Sequence, residues 1–310
     1  MIAIPPGLEG QRSLGADWAA WLDRLPGLAE QVVEEWDLRR DGDTMHGFCS
    51  LVLPVRTPTG IPAVLKLHTD AEAEESDHEH LALQRWRGRG AVRLLRADPG
   101  RRALLLERLE PTDLSDLWDE EACEIVAALY GKLHVAPMPQ LREQSSYVRR
   151  WTAALQRDAR AVPVPRRLVE QAAALAADLC AEPATAVIHG DLHYANVLLG
   201  LRGGEPTWLA IDPKPTNGDP HYELEPMLRN RFEEYGEAPG SVRDAIRRRF
   251  HTLVDAAGLD EPRARDWVVV RSVLNAHWAF ADAQRARRAL SADERDLVTT
   301  AITIAKAVQD

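Results

Sequence analysis

The sequence predicts an α+β chain of two lobes: an antiparallel sheet lobe with leading helices at 1–109, and a helical lobe at 110–310. Three observations carry this. At 310 residues the chain is long enough to bury two cores. Between 47 and 109 apolar residues alternate or run in short β-rich blocks, the signature of strands. After "EPTD" (110–113) that signal nearly vanishes, and apolar residues recur at helical spacing. A five-stranded sheet ending near 109 is expected.

The elements follow in order. Trp18, Trp21, Leu22, Leu25 and Leu28 lie at helical spacing, and Pro26-Gly27 is expected to split the run into two helices. "GFCSLVLPVRT" (47–57) and "IPAVLKLHT" (61–69) read as strands joined by the turn "TPTG". A charged helix is expected over 71–90. Strands at 91–98 and 102–109 follow, joined by "PGR". Helices are expected at 114–135, 142–161 and 165–181, and throughout the chain beyond 221. The apolar run "TWLAID" (207–212) interrupts them. "LRGGEP" reads as a surface loop.

Composition narrows the function classes. A net charge of -10 argues against a nucleic-acid binder, which would show a basic patch. It suits a cationic small molecule, or solubility alone. Cys49, Cys123 and Cys180 are far apart, so neither a disulfide framework nor a zinc site is expected. The first residues lack the charged and apolar regions of a signal peptide, and no apolar run reaches the ~18 residues of a membrane span. The expectation is a cytoplasmic protein with no membrane partner; the oligomeric state is not legible.

The stretch "VIHGDLHYANVLL" (187–199) concentrates polar chemistry between apolar flanks. It admits three readings: a metal site, a phosphoryl-transfer loop, or a buried polar turn. On a strand His189, Asp191 and His193 would share one face, as zinc or iron ligands do. A hydrolytic centre needs further ligands, however, and His221 and His251 stand alone. Phosphoryl transfer needs a carboxylate for the acceptor's proton, oxygen ligands for magnesium and a cation on the phosphates. Asp191 and Asn196 have the Asp-x-x-x-x-Asn spacing of a kinase catalytic loop. "WLAID" supplies a second metal carboxylate, Asp212. "AVLKL" supplies Lys66 on a strand. Glu75 and Glu79 lie one turn apart on the next helix, and spacing cannot choose between them as its partner.

"HGDLHYAN" resembles the catalytic loop of the aminoglycoside phosphotransferase and choline-kinase group, which has the protein-kinase-like fold. "PAVLKL", "HEHLALQRWRGRGAVRLLRAD", "ALLLERL" and "LAIDPK" resemble its streptomycin 6-kinase and hydroxyurea phosphotransferase branch. The resemblance spans roughly 36–280. It implies ATP and Mg²⁺, with Asp191 as catalytic base and Asn196 and Asp212 as metal ligands. It implies Lys66 on the α- and β-phosphates, Glu79 as its partner, and Glu107 to Leu109 as an adenine-reading hinge. The phosphate loop departs from the family pattern: "DGDTMHGFCS" (41–50) has only Gly42 and Gly47, so Ser50 is a candidate there.

The implied activity is a small-molecule kinase acting on a hydroxyl of an aminoglycoside or amino sugar. Hydroxyurea, a neutral sugar, or nucleotide binding without turnover are the alternatives. From 212 to 237 seven acids face three basic residues, a balance of -4, which suits a cationic acceptor. His193, Glu223, Glu233 and Trp278 are the candidate contacts.

Overall fold

The structure, a computed structural model, describes residues 2–70, 77–236 and 241–309. It divides into two compact units: Met1–Pro111 with Leu199–Lys214, and Thr112–Leu198 with Pro215–Asp310.

In the first unit, helices α1 (Pro6–Glu9) and α2 (Ala16–Glu35) precede an antiparallel sheet. Its strands are β1 (Arg39–Arg40), β2 (Met45–His46), β3 (Ser50–Arg56), β4 (Pro62–His68), β5 (Leu94–Asp98) and β6 (Ala103–Glu107). The order is β1-β3-β4-β6-β5, with β2 also on β3. Among the described residues six segments therefore stand where five strands were expected, because the first arm is broken. Arg40 pairs with Val55 and Met45 with Val52, so residues 41–44 bulge opposite 53–54. Pro54 on the facing strand cannot donate to the ladder, but its carbonyl still accepts from the N–H of Asp41 at 2.9 Å.

Helix α2 corrects the expected break at Pro26. It runs unbroken through the proline. Its stripe Trp18, Trp21, Leu22, Leu25, Ala29 and Val32 is buried against Leu51, Leu53, Val55, Ala63, Leu65, Leu67, Ala103 and Leu105. An interior proline costs ~3 kcal/mol, while each large buried side chain contributes ~1.5–3 kcal/mol, so the shared stripe wins.

Helix α3 (Glu79–Trp86) is shorter than expected over 71–90. It stops at Arg87 in the left-handed conformation, and 71–76 lie outside the described residues. "LRGGEP" lies at the surface, but its loop is only two residues: Gly203 and Gly204 close a hairpin of β8 (Val197–Arg202) and β9 (Glu205–Ala210), both at positive φ, as a tight two-residue hairpin turn requires.

The second unit is mostly helical. Its helices are α4 (Asp119–Leu133), α5 (Gln144–Arg157), α6 (Arg166–Leu179), α7 (Glu225–Arg229), α8 (Val242–Ala257), α9 (Glu261–Arg285) and α10 (Ala292–Ala307). α9 is buried along most of its length, packed on α10 and α6, while α4 packs on α8. Between the expected helices lie β7 (Ala186–Ile188) and β10 (Thr216–Gly218), a small antiparallel pair. No helix among the described residues is long and apolar enough to cross a membrane.

Candidate active site

The first unit builds a charged node from strand alternation. Ala63, Leu65 and Leu67 of β4 face the α2 core, so Lys66 and His68 face the other side of the sheet. There the Lys66 ammonium donates to both oxygens of Glu79, at 3.1 and 2.9 Å, and to Asp212 Oδ1 at 2.5 Å. His68 Nε2 lies 2.7 Å from Glu79 Oε2. Glu79 opens α3, where a carboxylate also meets the positive end of the helix dipole. Glu79 is thus the glutamate on Lys66; Glu75 lies outside the described residues.

The node's charges are mutually sustained. Burial alone would lower the lysine pKa, but Asp212 first and Glu79 second hold it above the ordinary lysine range. Burial would raise the pKa of both carboxylates, and Lys66 reverses that, leaving each below the usual range. Asp212 follows β9 with φ 56, a left-handed conformation that is costly for most residues and tolerated by Asp. Its side chain keeps 37 % exposure, so the carboxylate is not consumed by the lysine.

Glu107 ends β6 opposite Ala63. Its carboxylate accepts from Arg202 at 2.5 Å and from the Arg93 N–H at 2.7 Å, so the side chain is engaged inside the unit. Leu109 packs over Gly200. Ser50 is buried at the start of β3, where its carbonyl accepts from the N–H of Gly47 to close the turn.

In the second unit β7 delivers the chain to a loop. Residues 189–193 do not form a strand, so His189, Asp191 and His193 do not share a face. Among the described residues no group of three or more His, Cys, Asp or Glu comes together as a metal site. The loop is gripped by its main chain instead. Glu223, fully buried, accepts from the N–H of His189 at 2.5 Å and of Gly190 at 3.1 Å. The Gly190 carbonyl accepts from Arg271 Nη2 at 2.5 Å. Gly190 holds φ 85, which glycine adopts without strain. The Asp191 N–H donates to His189 Nδ1 at 3.3 Å. The Asn196 amide nitrogen donates to the Asp191 carbonyl at 2.8 Å and lies 3.1 Å from His193 Nε2, so the amide oxygen turns the other way.

Glu223 is therefore misplaced as a substrate contact: it is a 0 % exposed loop anchor. Burial would raise its pKa, and contacts with His134 and the His189 segment outweigh this and lower it. The acidic wall of 212–237 dissolves in the same way. Asp219 is bonded to His221, Arg263 and Trp267. Glu225 is buried beside Arg229 and Arg271, and Glu234 pairs with Arg231. Glu233 is exposed, and Glu237 lies outside the described residues. Trp278 is half-buried in a ring cluster with Tyr147 and Trp151, at 5.8 Å from each.

A cavity of about 760 Å³ opens in this unit beside 116–120, Arg231, Glu234, Arg248 and Arg249. One wall residue, Asp119, accepts the Tyr194 hydroxyl at 3.2 Å, which ties the cavity to the turn carrying Asn196.

Sequence reasoning missed His68, Glu225, Arg229 and Arg271. His68 was findable, because it is two residues from Lys66 on the same strand face. Arg271 carries no local signal, since it lies 81 positions from the glycine it holds.

A sheet-borne lysine tied to a helical glutamate, with an Asp-x-x-x-x-Asn loop leaving a buried strand, defines a phosphotransferase of the kinase-like fold. A solved aminoglycoside phosphotransferase, the thermostable mutant of APH(4)-Ia in ternary complex with ADP and hygromycin B, shares that fold. Its TM-score is 0.57 at 15 % identity, covering 91 % of this chain and 98 % of that one. Residues 35–283 match the aminoglycoside/hydroxyurea antibiotic resistance kinase family, and the chain belongs to it. It is 37 % identical to streptomycin 6-kinase of Streptomyces glaucescens, over 100 % of this chain and 98 % of the relative. It is 38 % identical to hydroxyurea phosphotransferase of Kitasatospora aureofaciens, over 94 % of this chain and 83 % of the relative.

Proposed function

We propose that the chain transfers the γ-phosphate of ATP to a hydroxyl of an aminoglycoside or amino sugar. The observation that carries the reading is the Lys66–Glu79–Asp212 node. A buried ion pair is a weak staple, since desolvation offsets much of its attraction. Its use is to present an ammonium, fixed in place and charged, to the nucleotide phosphates. Asp191 accepts the proton of the acceptor hydroxyl. Glu107 to Leu109 serve as the adenine-reading hinge, and Ser50 lies at the turn assigned to the phosphates.

Each proposed donor is of a kind that suits magnesium: Asp212 offers a carboxylate with open surface and Asn196 an amide oxygen, both hard oxygen ligands. Magnesium held by them would neutralise phosphate charge. The chain's own part is to orient both oxygens: Lys66 fixes Asp212, and the Asp191 carbonyl fixes Asn196 through its nitrogen.

Streptomycin and hydroxyurea are the acceptors named by the relatives, so both belong in the first test. Asp191→Asn should cut turnover on the order of 10²-fold or more, with little change in nucleotide affinity. Near-normal turnover of that variant would remove Asp191 from the base role. Nucleotide binding without turnover of any aminoglycoside, amino sugar, neutral sugar or hydroxyurea would sink the transferase reading.

A further inference from the structure

Two sequence neighbours, Gly190 and Asp191, are each reached by an arginine. Arg271 Nη2 donates to the Gly190 carbonyl at 2.5 Å, and a second donation at 3.0 Å goes to the Tyr222 carbonyl. Arg229 Nη2 lies 3.7 Å from Asp191 Oδ1. Both arginines lean on one carboxylate. Glu225 Oε1 is 3.4 Å from Arg229 Nε, and Glu225 Oε2 is 3.5 Å from Arg271 Nε. Glu225 is 0 % exposed, and none of these four atoms has a hydrogen-bond partner among the described residues. The pairing is by charge at ion-pair distance. Glu225 and Arg229 are one turn apart on α7, so the helix sets their spacing.

The circuit runs from the loop's main chain through Arg271, Glu225 and Arg229 to the carboxylate of Asp191. A buried acid between two guanidinium groups costs desolvation and gives little net stability. Its geometric consequence is specific: the loop backbone and the Asp191 side chain are referred to one fixed point.

We propose that Arg229 is a positioning residue for Asp191, aimed by Glu225. It attracts one carboxylate oxygen and thereby sets the rotamer in which the other faces the acceptor hydroxyl. The proposal rests on Asp191 as the base.

The test is a double-mutant cycle with ATP-Mg²⁺ and streptomycin as the probe acceptor. Arg229→Gln should lower kcat by ~10-fold or more, with KM for ATP and streptomycin each changed less than ~3-fold. Arg229→Lys should recover part of that loss, since it keeps the charge without the planar fork. In the Asp191→Asn background, Arg229→Gln should change the residual kcat by less than ~2-fold, because the group it positions is gone. An equal loss in both backgrounds would overturn the proposal, and so would a rise in KM at constant kcat. Should Arg229→Gln unfold, Arg229→Lys in the two backgrounds gives the same comparison. Near-normal turnover of Asp191→Asn alone would refute the base reading itself, an outcome distinct from an additive cycle.

Discussion

The two units hold their chemistry in opposite ways. In the first, side chains hold side chains: Lys66, Glu79, His68 and Asp212 form a closed charge network on one sheet face. In the second, side chains hold main chain: Glu223 and Arg271 grip the amides and carbonyl of 189–190, and Asn196 grips the carbonyl of Asp191. A charge network fixes where ions sit and depends on pH. A main-chain clamp fixes the path of a loop, whatever side chains the loop carries.

That contrast predicts which changes hurt most. Lys66→Met should be the most severe for stability. It leaves Glu79 and Asp212 without their cation, and breaking a buried pair from one side costs about 3–5 kcal/mol. Denaturant unfolding of the free protein reads this directly; a loss below about 1 kcal/mol would mean the node is more hydrated than its burial implies.

Glu223→Gln should come next. The His189 and Gly190 N–H groups reach different oxygens of Glu223, one of which becomes an NH2 that cannot accept, and an orphaned buried donor costs about 1–3 kcal/mol. Turnover should fall along with stability, because the loop carrying Asp191 loosens. A variant that lost stability but kept full kcat would separate the clamp from the chemistry.

The alkaline side of the pH dependence should distinguish the units, since Glu79 and Glu223 both have lowered pKa values and both weaken in acid. Lys66 has a raised pKa, so its contribution is fully present below the ordinary 10.5 and fades only as pH climbs past that range. Glu79 has a lowered pKa, so its contribution is present above the ordinary 4.5 and is lost as pH falls below it. The node should therefore be level from about 5 to 10 and weaken on both sides. In Lys66→Met the alkaline fall should shrink, and unfolding measured across that range checks it.

The smallest effect belongs to Glu233→Lys. The residue is exposed, and the cavity wall near it sets four acids against three arginines. Streptomycin KM should move less than ~3-fold, with weak salt dependence. A large rise would restore the acidic-wall reading.

The same contrast explains what was legible. The α+β class and the order of the main elements followed from the switch in apolar period near 110–113. Lys66, Asp191, Asn196 and Asp212 stood out because their spacing on strand and loop has a chemical reason. Charge counting over 212–237 failed because it treats sequence neighbours as spatial ones. Asp219, Glu223 and Glu225 are spoken for by His134, Arg263, Trp267 and Arg271, tens of positions away. Pro26 misled for a similar reason: a local penalty was outweighed by a long-range core.

The first unit is discontinuous along the chain, and this bears on how the protein is born. Lys66 and Asp212 are 146 residues apart. At ~5–20 residues per second of synthesis, the second carboxylate leaves the ribosome about 7–30 s after the lysine. During that interval the emerging sheet holds its lysine with Glu79 alone and lacks the β8–β9 hairpin. The first unit is thus completed only after helices α4, α5 and α6 of the second have been translated.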